Sequence, residues 1–238
     1  MAGSRRSPVS RIAVGALVLF ALAVLLSLGV WQVERRTWKL DLIAHVNERI
    51  HEPAATAPPP ADWPAINAAA DAYRHIQAQG TYLDDETIYV HATTTYGMGY
   101  WVMTPLRTDK GFTVIVNRGF VPAEFRLKAK PAAGGIATGL LRVSEPGNWL
   151  RANDPAQDNW YSRDVAAMAQ KRGLQQAAPY FIDADATADA KAEGKEPAMP
   201  IGGLTIIDFP NNHFIYACTW FGLALLLAFG AGKALRST

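Results

Sequence analysis

Two long apolar runs bracket a more polar middle in this chain. Residues 12–30 (IAVGALVLFALAVLLSLGV) and 213–232 (HFIYACTWFGLALLLAFGAG) contain no Asp, Glu, Lys or Arg. Helices of that length, at ~1.5 Å per residue, approach the ~30 Å hydrocarbon thickness of a bilayer. Both runs therefore predict transmembrane helices, with Trp31 placed like an interfacial aromatic residue after the first.

Each run has a competing interpretation. The first could be a cleaved signal peptide, but its apolar stretch is long for such a segment and no clear A-x-A cleavage site follows. The second could be a buried core helix, but it lies near the C-terminus of the sequence and is closed by Lys233 and Arg236. The pattern favours an uncleaved anchor in the first case and a membrane span in the second.

Helical periodicity continues past the first run, over residues 31–51. Four large side chains recur at helical spacing and share one face: Trp31, Arg35, Trp38 and Leu42. We therefore expect a helical extension that ends near His51. The Pro/Ala-rich composition that follows predicts a linker over residues 52–75.

The middle of the chain changes to β-branched and aromatic runs of strand length. The predicted strands are 76–83, 86–96, 99–107, 112–121, 136–143 and 178–185, with a further candidate at 202–209. One short helix is expected over 165–174, with Gly173 as its stop, and residues 184–200 are expected to be mobile. The fold class is a membrane protein in which two transmembrane helices flank an α+β periplasmic domain with a mainly antiparallel, barrel-like β-sheet over residues 76–212.

Charge is distributed in three blocks that set the expected topology. The first 30 residues hold three arginines and no acid, and the last 26 hold Lys233 and Arg236 and no acid. Residues 31–212 hold 18 basic and 21 acidic residues, a net charge of −3. Basic ends (1–11 and 233–238) predict cytoplasmic termini, and the mildly acidic body argues against nucleic-acid binding.

Self-contained catalytic chemistry is not visible in the sequence. The chain has one cysteine, which excludes an internal disulfide, and it lacks a P-loop, GxGxxG, HExxH or nucleophile elbow. Asp183, Asp185 and Asp189 cluster in an Ala-rich stretch, which favours a solvated face. His45, His51, His75 and His91 are expected to be structural or exposed. An enzyme is therefore not expected.

His213 differs from the other histidines because it lies at the edge of a predicted membrane span. An ionisable residue there is a functional candidate, as a ligand or a proton relay, although an interfacial histidine can also simply meet water or headgroups. Ala217, Trp220, Ala224 and Ala228 lie within ~60° of His213 on a helical wheel. The alanines on this face of the helix leave room for either a flat ring or a closely packed neighbouring helix. Close helix packing is the more common role of such small residues.

Several segments in order resemble one known family. They are GVWQVERRTWKLDLI, GYWVMTPL, FTVIVNRGFVP, NDPAQDNWYSRDVAAMAQKRGL, APYFIDAD and GGLTIIDFPNNHFIYACTWFGLA, between residues 29 and 228. Together with the two flanking spans, they are similar to the Surfeit-locus-protein-one family (Shy-one in yeast), the assembly factors of haem–copper terminal oxidases.

The resemblance implies an assembly factor for cytochrome c oxidase that binds haem a as cargo and assists its delivery to the catalytic subunit. It implies that His213 is the axial ligand of the haem iron. Trp220 is the expected neighbour of the ring, while Arg35 and Arg118 are candidates to pair with its propionates. Both arginines have structural alternatives, because Arg35 can stack on Trp31 or Trp38 and Arg118 can hold the NRG turn.

The expected partners are the catalytic oxidase subunit, haem a synthase and membrane lipid. The sequence lacks an Arg/Ser-rich amphipathic presequence at its start, so a bacterial inner-membrane protein is expected rather than a mitochondrial one. The alternative function is a haem-independent membrane scaffold that stabilises the nascent oxidase subunit.

Overall fold

The computed structural model describes residues 8–128, 135–147, 151–186, 199–205 and 211–236. The chain divides into two compact units, one formed by residues 1–45 with 208–238 and one by residues 46–207. We call these the helical unit and the barrel unit. The helices are α1 (Pro8–His51), α2 (Ala68–Asp71), α3 (Val165–Lys171) and α4 (His213–Arg236). The strands are β1 (Ala55–Thr56), β2 (His75–Tyr82), β3 (Ile88–Thr94), β4 (Gly97–Thr108), β5 (Thr113–Pro122), β6 (Ile136–Val143) and β7 (Ala177–Ala184).

The helical unit consists of α4 and the part of α1 up to residue 45. Both helices are long and apolar enough to cross a membrane, and protein covers only 6% and 11% of their most apolar windows. That much uncovered apolar surface is suited to lipid rather than to water. The helix predicted over 31–51 is present as a continuation of α1, which ends at His51.

A narrow stripe of each helix is shielded from solvent, at the three- and four-residue spacing of helix packing. On α1 the stripe consists of Val18, Ala21, Leu22, Leu25, Leu28, Gly29 and Gln32. On α4, Ala217 and Ala224 are each only 4% exposed. A Cβ atom built on Gly29 would lie 2.5 Å from the Phe221 ring, so the ring packs directly on the α1 backbone. Small residues therefore allow the two helices to approach closely, as in other membrane helix pairs.

The barrel unit contains a seven-stranded sheet in the order β1-β2-β6-β7-β5-β4-β3. An additional pairing between β2 and β4 closes five of these strands, β2, β6, β7, β5 and β4, into a ring. Most neighbours are antiparallel, while β1–β2 and β5–β7 are parallel. The predicted barrel-like and mainly antiparallel sheet is thus confirmed, and the six main predicted strands have bounds within two residues of those observed.

Closure of the ring depends on β2 changing partners along its length. Residues 75–79 pair with β6, and residues 80–82 pair with β4. At this change, a Cβ atom on Gly80 would lie 2.0 Å from the carbonyl oxygen of Arg107. Only glycine lets the two backbones come this close, so Gly80 makes the seam of the barrel sterically possible.

The sheet has a core on each face. The larger core includes Ile76, Leu106, Phe112, Val114 and Tyr180. The second lies under α3 and includes Val90, Ile115, Trp160, Met168 and Phe181. Ile115 and Phe181 alternate with residues of the first core along β5 and β7, as the two-residue period of strands requires.

The segment expected to be a linker, residues 52–75, is instead packed onto the barrel unit. Ala57 is 1% exposed within the larger core. The Pro58 carbonyl accepts hydrogen bonds from Tyr180 Oη at 2.8 Å and Trp63 Nε1 at 3.1 Å. Burial of the Tyr180 hydroxyl raises its pKa well above the ordinary value. A proline-rich segment can still pack against a domain when its carbonyls find hydrogen-bond donors.

Two further expectations fall partly beyond the described residues. Residues 202–205 form no strand, although neighbouring Ile201 makes an isolated bridge with Phe120, and residues 206–209 are not described. Of the segment expected to be mobile, residues 187–198 lie outside the described part of the chain. The expected stop of α3 is present, since Gly173 follows the helix with a φ of 60°.

The His75 side chain predicts a pH dependence of stability. Its Nδ1 contacts the Glu52 carbonyl at 2.9 Å and its Nε2 contacts Asp185 Oδ2 at 2.8 Å. Two acceptors require two N–H groups, which favours the imidazolium. Partial burial lowers the pKa of His75, but the hydrogen bonds to Asp185 and Glu52 and the charge of Asp185 outweigh it, so the net pKa is raised.

The stabilisation is therefore full below the unfolded-state value of ~6.5 and is lost as pH rises through the higher folded pKa. Denaturant unfolding of the full chain in detergent between about pH 5 and 9 should show this loss. His75→Gln should flatten that part of the profile, and His45→Gln on α1 serves as the control. Identical profiles for wild type and His75→Gln would contradict the assignment.

The contact between Gly29 and Phe221 predicts the effect of a larger side chain. Gly29→Leu should lower the thermal stability of the full chain in detergent, because overpacking costs about 1–3 kcal/mol. Phe221→Ala in the same chain should restore part of the loss. Gly15→Leu on the same helix is the matched control, since no atom lies within 4 Å of a Cβ there. Equal effects of the two leucines would show that the helices do not meet at Gly29.

Candidate functional site

His213 is the first residue of α4 and is half-buried. Its Nδ1 lies 2.7 Å from Oε1 of Gln32, which belongs to the packed stripe of α1 and is 9% exposed. The hydrogen bond therefore joins the two helices of the helical unit through their polar side chains. Since little else in the packed stripes is polar, this bond fixes the rotation and level of one helix against the other.

The Gln32 contact also selects the tautomer of the imidazole. A carboxamide oxygen can only accept, so His213 Nδ1 must carry the hydrogen and donate it. In the neutral ring, Nε2 then keeps its lone pair and is available to a metal or a proton donor. Histidines that bind metals are commonly oriented in this way, by a hydrogen bond from the other ring nitrogen.

Aromatic and cationic groups lie beside this histidine. Phe214 follows it in α4 and is 60% exposed, and the guanidinium carbon of Arg36 lies 5.5 Å from the Phe214 ring centroid. The Asn211 side-chain oxygen, two residues before His213, is buried and has no hydrogen-bond partner in the part of the chain that the structure describes. A buried acceptor without a donor costs about 1–3 kcal/mol, so this oxygen is suited to a donor from water or a ligand.

The helix face that carries the small residues after His213 is partly covered by other side chains of the protein. Ala217 and Ala224 are buried, Trp220 is half-buried, and Ala228 is exposed. Because α1 packs at Gly29 against Phe221 of α4, close helix packing is the use observed at that level. Cys218 is exposed.

The two predicted arginines have other interactions in the structure. The Arg35 guanidinium lies over the Trp38 ring at 3.8 Å from its centroid, which is one of the stacking contacts the sequence allowed. In the barrel unit, Arg118 pairs with Asp84 at 3.4 Å and lies 5.9 Å from the Tyr82 ring centroid. Burial lowers the pKa of Arg118 below its ordinary value, partly offset by Asp84. A role for either arginine, or for Trp220, in contacting a ligand remains a prediction.

The expectation that the aspartate cluster forms a solvated face is wrong for Asp183, which is 3% exposed. Its carboxylate accepts hydrogen bonds from Asn117 at 2.7 Å, Thr205 at 3.0 Å and Arg142 at 3.2 Å. Asp185 is exposed and binds His75, while Asp189 lies outside the described residues. The Ala-rich composition gave a wrong prediction for Asp183, because this residue belongs to β7, which lies in the middle of the sheet and precedes the Ala-rich stretch.

The surroundings of Asp183 form a second polar cluster, in the barrel unit. Arg142 and Arg163 each contact both Asp183 and Glu145, so two cations meet two anions. A cavity of about 230 Å³ borders them, lined also by Trp101 and Gly119. Balanced charge and full hydrogen bonding are typical of a structural network, and removing one member would leave a buried charge unpaired.

Sequence reasoning identified His213 but missed Gln32 and Asn211. Gln32 lies just beyond the uncharged run and was counted with the helical extension, although a polar residue three positions after Gly29 continues the packed stripe. That spacing was the signal available. Nothing in the sequence indicated that the Asn211 oxygen would lack a partner.

Fold and site together define a class: the chain contains a small closed β-barrel and, before and after it in sequence, two apolar helices long enough to span a membrane, with an oriented histidine at the start of the second. Residues 19–225 match the family described as the SURF1 family, and the chain belongs to that family. Its members are cytochrome oxidase assembly factors and not enzymes.

Individual relatives are similar over most of their length. Surfeit locus protein 1 of Rattus norvegicus is 33% identical over 87% of this chain and 70% of its own length. Surfeit locus protein 1 of Homo sapiens is 32% identical over 89% and 74%, respectively. A SURF1-like protein of Monosiga brevicollis is 34% identical over 85% and 80%.

Proposed function

We propose that this chain is an assembly factor for a haem–copper terminal oxidase that holds haem a as cargo through His213. In this account it assists delivery of the haem to the catalytic oxidase subunit. Membership of the SURF1 family supports the oxidase as client. The observation that carries the haem assignment is the hydrogen bond from His213 Nδ1 to Gln32, which leaves Nε2 as a free ligand nitrogen.

Haem suits the donor set better than a bare metal ion does. No group of three or more His, Cys, Asp or Glu side chains that could hold a metal is found among the described residues. A porphyrin supplies four nitrogens itself, so one protein imidazole is enough to hold its iron. The neighbouring surface also fits, because Phe214, Ile215 and Tyr216 are 54–65% exposed and offer apolar area to a greasy ring.

Cationic groups near the histidine suit the propionates of haem. Arg36 lies over the ring of Phe214, the residue next to His213, and Arg35 is one position earlier on α1. A guanidinium pairs with a carboxylate through two parallel hydrogen bonds, so either side chain can leave its aromatic neighbour for a propionate. We include Trp220 as a ring neighbour in this proposal.

The proposed location is a bacterial inner membrane, with both termini in the cytoplasm and the barrel unit in the periplasm. The support is the distribution of charge. Basic residues precede the first apolar helix and follow the second one in the sequence, and residues 31–212 are net acidic. Haem a synthase, as the source of the cargo, and membrane lipid complete the set of proposed partners.

Haem content tests the ligand assignment. The full chain purified from a host that makes haem a should carry haem, whereas His213→Ala should lose most of it because the iron has no other assigned ligand. His45→Ala is the matched control, as another histidine of the helical unit whose Nδ1 contacts a carbonyl of its own helix. The measurement is the absorption spectrum together with the extracted haem per chain.

Equal haem in wild type and His213→Ala would show that this histidine is not the ligand. If oxidase maturation in the host also survives His213→Ala, the haem-independent scaffold is the better account.

Gln32 provides a second prediction at the same site. Gln32→Leu keeps the size of the side chain but removes the acceptor, so the imidazole loses its fixed tautomer and orientation. Loss of such a supporting hydrogen bond typically weakens metal binding by about 10–100-fold. Titration of the purified full chain with haem should show this weakening with a shifted absorption spectrum, while Gln32→Glu should retain binding. Unchanged affinity and spectrum in Gln32→Leu would show that Gln32 only packs.

A further inference from the structure

A row of large apolar side chains runs along one side of α1 and is left uncovered by the protein. Its members lie within ~40° of Trp31 on a helical wheel, and each is 37–68% exposed. They are Leu17, Phe20, Val24, Trp31, Trp38 and Leu42. We call this row the outer stripe.

The outer stripe continues past the end of the apolar run that suits the membrane. Trp31 is the first residue after the uncharged residues 12–30, and Trp38 and Leu42 lie about 10 Å and 16 Å further along the helix axis. The headgroup region adds only about 5–8 Å to each side of the hydrocarbon core. Trp38 and Leu42 therefore reach beyond the lipid and face water in a single chain. Apolar side chains that face water in a regular row mark an interaction surface.

The spacing of the outer stripe indicates the shape of what covers it. Leu17, Val24, Trp31 and Trp38 recur at every seventh residue. Such a repeat drifts by ~20° per heptad on a straight helix, but it stays in line when two helices wrap around each other with a left-handed twist. The spacing therefore suits a second long helix that crosses the membrane surface beside α1.

The contact with α4 leaves this side of α1 open. Gly29 and Gln32, which contact α4, lie about 160° and 100° from Trp31 on the helical wheel. A further helix on the outer stripe therefore does not compete with α4 for the same surface.

Charges beside the outer stripe favour a second copy of this chain. Glu34 lies ~60° to one side of Trp31 and Arg35 lies ~40° to the other. All copies insert in the same orientation, so two α1 helices run parallel, and a two-fold axis between them places Glu34 of each copy opposite Arg35 of the other. Opposite charges in this position select the partner helix.

Both charged groups can take part in such a pair. Glu34 is exposed and forms no ion pair within the described part of the chain. Arg35 lies over the Trp38 ring at 3.8 Å from its centroid, a contact made by the face of the guanidinium. Its N–H groups at the edge are left to donate to a carboxylate.

We propose that the outer stripe joins two copies of this chain through a parallel pair of α1 helices. Trp31 and Trp38 of each copy lie against the same residues of the other, and Glu34 pairs with Arg35 across the seam. The proposal does not depend on the haem assignment, because Gln32 and its hydrogen bond to α4 lie on another side of α1.

Two leucines of α1 provide the test. Leu42 belongs to the outer stripe, whereas Leu40 lies ~160° away from it around the helix, and the two are similarly exposed at 37% and 42%. Cys218→Ser leaves each variant with a single cysteine. In membranes treated with copper phenanthroline, Leu42→Cys should form a disulfide-linked dimer of the full chain. Leu40→Cys should form about tenfold less, because its thiols point away from each other.

Energy transfer between full chains labelled at the N-terminus with donor or acceptor measures the association without a covalent bond. In phosphatidylcholine vesicles, Trp38→Ala should weaken it by about tenfold or more, since central aromatic residues carry much of the free energy of an interface. Glu34→Lys should weaken it too, because it sets a cation opposite Arg35 of the other copy. Leu40→Ala is the matched control and should leave the association unchanged.

Equal disulfide formation by Leu42→Cys and Leu40→Cys would overturn the proposal, as would energy transfer no greater than random mixing in the membrane produces. Equal effects of Trp38→Ala and Leu40→Ala would also contradict it. A disulfide from Leu42→Cys to another membrane protein, in place of the dimer, would show that a different helix covers the outer stripe.

Discussion

Polar side chains between apolar helices must find each other, since lipid offers them no hydrogen bonds. In the helical unit this constraint is met by His213 and Gln32, whose side chains bond at 2.7 Å. Gly29 allows the helices to come close enough, because the Phe221 ring packs where a side chain would otherwise lie. The hydrogen bond between His213 and Gln32 and the lack of a side chain at Gly29 thus determine where the two helices meet. The same hydrogen bond leaves Nε2 of the imidazole available.

Buried polar groups in the barrel unit also need hydrogen-bond partners, and they find them within a network of charged side chains. Its buried carboxylate, Asp183, is surrounded by an amide, a hydroxyl and two guanidinium groups, so its charge is balanced within the cluster.

Much of this architecture could be predicted from the pattern of residues. Uncharged runs indicated the two apolar helices, and alternating β-branched residues located six strands, because both features depend on local periodicity. Short, closely spaced strands predicted a barrel-like sheet, but the way it closes could not be predicted, since that depends on β2 changing partners at Gly80 and on the β2–β4 register. The packing of residues 52–75 onto the barrel unit was missed because proline-rich composition indicates flexibility of the free chain and not the carbonyl acceptors that it offers to Tyr180 and Trp63.

At the candidate site, the sequence could identify His213 from its position but not the partner that defines its chemistry. Gln32 is 181 residues away, and only the packing of α1 on α4 brings them together. The most direct test of the account is therefore the tautomer of His213 in the haem-free chain. Nitrogen NMR of the histidine-labelled protein, with the signal assigned by its loss in His213→Ala, should show a protonated Nδ1 and a bare Nε2. A protonated Nε2 with a bare Nδ1 would contradict the account, because no nitrogen oriented by Gln32 would then be free to hold iron.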